Sequence, residues 1–233
     1  MTLKYDRLKY RQEGLLNSYI RKLTKNRSML VKYLHDYPEY TPPYTQESIG
    51  LSVSQAKDNF EYFMKVKSDR VVFISKLLST FSLNINPEKV DKDSLLRLDE
   101  WAYQQWPAIY DKYLARNGLF LFTFNNTKLL KIRSMLFDLS ILLGECYLNL
   151  CPNAKWYLDS GLESSNEQRG SCNRIVILET KELNQKDEWN YELDIEAHVF
   201  GHFELQAKTN NLLLVDQKMG YVLSKPVLDL LKN

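Results

Sequence analysis

Apolar residues recur at Leu8, Leu15, Leu16, Tyr19, Ile20, Leu23, Leu30 and Leu34, a helical spacing that predicts an amphipathic first helix over 8–34. The run DYPEYTPPYT (36–45) follows. Its three prolines push the preceding residues out of helical backbone, so it reads as an ordered loop. A second helix is expected over 54–81, capped by Ser52 or Ser54, with Ala56, Phe60, Phe63, Met64, Val71, Ile74, Leu78 and Phe81 on its inner face, ending by Asn84 and Pro87. A third is expected over 93–105, with Asp91 or Asp93 as cap, Leu95, Leu98 and Ala102 buried, and Pro107 as its limit. After the Asn117-Gly118 turn, Asn125 or Thr127 starts a helix to Leu150 that is apolar nearly all round and therefore central.

The texture then changes. Lys155 to Asp159 and Arg174 to Thr180 read as short strands separated by the polar stretch 160–171. Residues 192–207 fit helix or strand, and the spacing of Leu193, Val199, Phe200, Phe203 and Ala207 favours helix. Leu212 to Val215 suggests a strand and Ser224 to Leu231 a short terminal helix. The expected fold is α+β, mainly α: helices around the buried helix 125–150, with a small C-terminal β-sheet. It forms a single domain over 1–233, made of a basic N-terminal helix with its proline-rich loop (1–45), a helical core (46–151) and a mixed α/β part (152–233).

Composition adds limits rather than a function. At 233 residues, with 44% apolar and 26% charged, the chain is long enough for a sizeable core and too apolar for a disordered tail. Its net charge of +2 gives no global attraction to nucleic acid or anionic membrane. Locally the picture differs. Residues 1–33 hold nine Lys or Arg against Asp6 and Glu13, with Tyr5, Tyr10 and Tyr19 interleaved, an alternative nucleic-acid surface. Residues 179–196 hold seven acids against Lys181 and Lys186. The opening MTLKYDRLKYRQEG lacks the apolar core of a secretory leader, and the most apolar stretch, 119–151, carries five charges; neither a leader nor a membrane span is expected. Cys146, Cys151 and Cys172 have neither disulfide-framework nor zinc spacing, which suits a cytoplasmic setting.

Motifs for chemistry are scarce. There is no GxSxG elbow, no GxGxxG and no GxxxxGK, which argues against hydrolase-elbow, Rossmann and P-loop chemistry. His198 and His202 have the one-face spacing of zinc ligands, but Val199 stands where HExxH needs its glutamate; no metal site and no cofactor are expected. Asp138 and Glu145, seven apart on an apolar helix, are costly to bury without donors. The expectation is a structural polar tether of Asp138, Glu145 and Trp156, with Glu145 buried and its donors Trp156 and Arg133 or Arg97. The alternative is an enzyme that uses the two carboxylates as acid and base.

Two stretches, DSLLRLDEWAYQQW (93–106) and FDLSILLGECYLNLCPNAKWYLD (137–159), together resemble a loose group of bacterial helical proteins of unknown function, some of them immunity-type proteins of toxin systems. The matching residues are Ser94, Leu95, Leu98, Asp99, Trp101, Gly144, Glu145 and Trp156, and the likeness spans roughly 91–180. The resemblance implies architecture and partner binding, with no catalytic role for these residues. With the missing motifs, it points to a non-catalytic protein-binding module, a toxin-neutralising immunity protein. Glu182, Asp187, Glu188, Glu192, Asp194 and Glu196 would then meet a basic protein such as a toxin.

Overall fold

The computed structural model describes residues 29–46, 48–109, 127–160, 173–183, 187–208 and 223–231. The expected first helix falls within them only at its end, α1 (Leu30–Tyr33), which runs into a single 3-10 turn, Leu34–Asp36. Residues 37–46 form the expected loop. Helix α2 (Val53–Ser79) starts on a reciprocal cap: the Gln55 N–H donates to Ser52 Oγ at 3.3 Å, and the Ser52 N–H donates to Gln55 Oε1 at 2.9 Å. It ends earlier than Asn84. Ser82 takes left-handed backbone at φ 59°, and the Leu83 N–H returns to the Leu78 carbonyl, closing the last turn without a glycine.

Helix α3 (Lys92–Ile109) is capped by Asp91, whose Oδ1 accepts from the Ser94 N–H at 2.8 Å. It continues through Pro107 rather than stopping at Gln105. A proline near the end of a helix removes one backbone hydrogen bond, and that loss alone does not end the last turn. Helix α4 (Thr127–Leu150) is central as expected. Ile132, Met135, Leu136, Leu139, Ile141, Leu142, Leu143 and Cys146 around its girth are buried. On α2, Phe63, Ile74, Leu77 and Leu78 face that core, whereas Met64 is exposed, which corrects its assignment to the inner face.

Among the described residues the sheet has three antiparallel strands in the order β1 (Ala154–Asp159), β2 (Arg174–Leu183), β3 (Asp187–Leu193). Trp156 lies opposite Ile177, and Ile177 opposite Leu193. Strand β3 was not expected as an element. The segment 192–207 divides at Asp194, strand before it and helix α5 (Ile195–Lys208) after it. The terminal helix is α6 (Lys225–Leu230). The strand suggested at Leu212 to Val215 lies outside the described residues. Buried side chains from α1 through α6 join one hydrophobic cluster, so the fold is α+β and mainly α, built on α4.

Candidate functional site

Among the described residues, one stripe of α4 carries a run of polar ties. Lys131, Ser134, Asp138 and Glu145 recur at helical spacing, so they share a side, which faces the 37–46 loop and α2. Asp138 is wholly buried. Its carboxylate accepts from Arg70 Nε at 2.6 Å and from Arg70 Nη2 at 2.8 Å, and Tyr37 donates its hydroxyl at 2.6 Å. Burial pushes the Asp138 carboxyl up to about 6, and Arg70 and Tyr37 oppose the rise, so it is ionised at neutral pH. Burial and the same carboxylate raise the Tyr37 hydroxyl, which stays a donor.

Arg70 spends its other donors on the loop, at the Pro38 carbonyl (2.9 Å) and the Glu39 carbonyl (3.2 Å). Its guanidinium also lies 5.7 Å from the Tyr40 ring and 5.3 Å from that of Phe73. The Tyr40 N–H donates to Ser134 Oγ at 2.8 Å, and Lys131 donates to the His35 carbonyl. The proline-rich loop is therefore fixed by α2 and α4 together.

Two turns along the helix, Glu145 Oε1 accepts from Trp156 Nε1 at 2.8 Å and from Lys67 Nζ at 2.6 Å. The bond to Trp156 is the expected one. Two expectations are corrected. Glu145 is half-buried, its side chain 21% exposed, and its cation is Lys67 of α2 instead of Arg133 or Arg97. Arg133 lies twelve residues away on the same straight helix, about 18 Å along the axis and out of reach. Arg97 donates to the Ser82 carbonyl. Gly144 completes the unit: a Cβ there would sit 2.3 Å from Trp156 Cη2, so only glycine lets the indole lie against the helix. The Gly-Glu pair and the tryptophan of the strand are thus one packing device.

Other reactive groups are also committed. Tyr147 donates to Glu179 Oε2 at 2.6 Å, a second tie between α4 and the sheet. Burial pushes the Cys146 thiol up to about 12, which leaves it an inert core residue at neutral pH. His198 Nε2 meets the Leu223 carbonyl at 2.9 Å. His202 is buried with its ring 5.9 Å from that of Trp106, and burial, with His198, pushes it down to about 4, so it is neutral at pH 7. Among the described residues no group of three His, Cys, Asp or Glu could hold a metal ion.

Serine, histidine and aspartate do converge once. Asp99 accepts from the Ser224 N–H at 2.9 Å and from its hydroxyl at 2.6 Å, beside the His198 contact to Leu223. This is no nucleophilic triad: the serine is wholly buried, it donates directly to the carboxylate, and the histidine faces a carbonyl.

The acidic run 179–196 lies in and beside the β2–β3 hairpin, and its members differ. Asp194 Oδ1 caps α5 through the Ala197 N–H at 2.8 Å, and its other oxygen pairs with Arg174 at 2.9 Å. Glu196 lies 3.7 Å from Arg174. Both are half-buried, and a cap and ion pairs to Arg174 already hold them. Glu192 is half-buried opposite Leu178. The register sets Glu182 opposite Glu188 and Leu183 opposite Asp187, past Ala154, where β1 pairing ends. The basic and aromatic positions of 1–28 lie outside the described residues.

Sequence reasoning missed Arg70, Lys67 and Tyr37. Arg70 carries a signal: it falls seven residues after Phe63 on the buried side of α2, where a lone cation needs a buried anion. Compared with family models, with curated proteins and with solved structures, the chain finds no match in any of the three. No helix among the described residues is long and apolar enough to cross a membrane.

Proposed function

We propose that the chain is a non-catalytic protein-binding module, a toxin-neutralising immunity protein of bacterial type working in the cytoplasm. On this reading it captures a basic protein with the outer part of the β2–β3 hairpin. The observation that supports it is the commitment of the buried and half-buried ionisable groups. Asp138, Asp99 and Glu179 each accept an internal hydroxyl, and Glu145 accepts an indole and an ammonium. A general acid or base needs open approach to its proton, and the Asp138 carboxylate has none.

The register of the β2–β3 hairpin sets Glu182 opposite Glu188, and like charges directly opposed cost stability that a basic partner would recover. Its candidate contact residues are Glu182, Asp187, Glu188 and Glu192.

Co-expression with the products of neighbouring genes, followed by affinity capture, tests the reading. The expected result is a basic partner whose association slows with added salt and with the triple change E182K/D187K/E188K. Capture of the same partner at an unchanged rate by the charge-reversed chain would refute the hairpin as its surface.

A further inference from the structure

Two aspartates of the helical part, the wholly buried Asp138 and the half-buried Asp99, are held differently. Asp138 faces a cation, whereas Asp99 has only the N–H and O–H of Ser224, both neutral donors. Three charged or titratable groups on the packed elements have partners of their own. Glu100 of α3 accepts from Gln104 at 2.9 Å, His198 of α5 is on the Leu223 carbonyl, and Lys225 of α6 pairs with Asp229 at 2.7 Å. Every polar contact of the terminal segment to the rest of the fold named above enters at Leu223 and Ser224. Beyond them it is held by Val227 and Leu228 packing into the core. Helix α6 has six residues, too few to persist without that docking.

We propose that residues 223–231 form a latch closed on α3, α4 and α5, with Asp99 as its proton-sensitive clamp, and that the latch holds more tightly as pH falls. A carboxylate partly taken out of water without a cation resists ionisation, and docked Ser224 occupies both of its oxygens. Consistently, burial holds the Asp99 carboxyl at about 6 against the opposing pull of the two Ser224 hydrogen bonds. In the open state the carboxyl returns to the ordinary range near 4. The docked state then takes up the proton first, and docking strengthens about tenfold between pH 7 and pH 5. Protonation keeps a hydrogen bond, because the serine hydroxyl can rotate from donor to acceptor.

Amide hydrogen exchange of the full chain at pH 7 and pH 5, corrected for intrinsic rates, tests this. Protection of 223–231 relative to α4 should rise about tenfold at the lower pH. In Asp99→Asn the ratio should be the same at both. If Asp99→Asn does not fold, Ser224→Ala serves instead: loss of one donor to the carboxylate should enlarge the pH response. An unchanged ratio in the native chain would overturn the latch, as would exchange of 223–231 in step with α4 at both pH values, or the native response persisting in Asp99→Asn.

Discussion

The tie at Asp138 and the tie at Asp99 solve the same problem in different ways. Each uses a carboxylate, wholly buried at Asp138 and half-buried at Asp99, to fasten a segment with no extended secondary structure of its own to hold it: the proline-rich loop in one case, the short terminal helix in the other. At Asp138 an arginine from a third element, itself buried, supplies two parallel donors and then reaches on to the loop carbonyls. At Asp99 the fastened segment supplies both donors itself. The first arrangement is a three-way junction in which removal of one member strands a charge. The second is a two-way contact in which separation lets water restore what was lost. A wholly buried charge with its own cation therefore marks the tie that cannot part without stranding it, and a half-buried charge with neutral donors marks the tie that can.

The largest effect should come from stranding the charge. Arg70→Met leaves Asp138 buried without a cation and should destabilise the fold by about 3–5 kcal/mol, read as the shift in a urea unfolding midpoint. Asp99→Asn keeps a neutral acceptor for Ser224 and should cost far less. If the two variants lose equal stability, the distinction between the ties fails.

Next in size is a pH effect with opposing signs. The folded His202 value of about 4 lies below its ordinary 6.5, so its contribution is fully present above pH 6.5 and is lost as pH falls through the folded value. The loss approaches roughly 3 kcal/mol at pH 4. Asp138 and Asp99, raised from 3.8 to about 6, act oppositely: their contribution is fully present below 3.8 and is lost as pH rises through 6. Acid unfolding of the native chain should be muted by this offset. His202→Gln, which removes only the losing group, should gain stability relative to the native chain between pH 6.5 and pH 4. Parallel stability curves for the two proteins across that range would contradict the assignment.

Gly144→Ala should cost about 2 kcal/mol, because the new methyl must displace a ring fixed by Phe63 at 5.0 Å and by Glu145. Most of that loss should vanish in a Trp156→Leu background, which thermal unfolding of the single and double variants can show. The smallest effect belongs to Glu145→Gln. Its amide oxygen still accepts from Trp156, and its pair with Lys67 is partly solvated, so a loss of about 1 kcal/mol is expected in the same assay.

How much of this was legible follows from period and reach. Helices α2 and α3 declare themselves by one apolar stripe of helical period, α4 by being apolar nearly all round, and the first two strands by short apolar runs between polar segments. The Gly144, Glu145 and Trp156 unit is legible because a small residue, an acid and an indole lie close together in sequence. Strand β3 is not. Trp189, Tyr191 and Leu193 alternate as a strand should, but the alternation runs into the helical spacing that starts after Asp194, and a window over both averages the two periods. The partners of Asp138 were hidden for another reason. Tyr37 and Arg70 lie 101 and 68 residues away, and no local pattern records which distant donor a buried acid will find. The presence of Arg70 among Phe63, Ile74 and Leu77 showed only that some anion was needed.

Buried ionisable groups act as structural ties in this fold, and a double-mutant cycle on Arg70→Met and Asp138→Asn tests that most directly. Unfolding free energies of the four proteins should give a coupling of about 2 kcal/mol or more, with the double variant more stable than Arg70→Met alone because no charge is left stranded. Additive losses, with a coupling below about 0.5 kcal/mol, would contradict it.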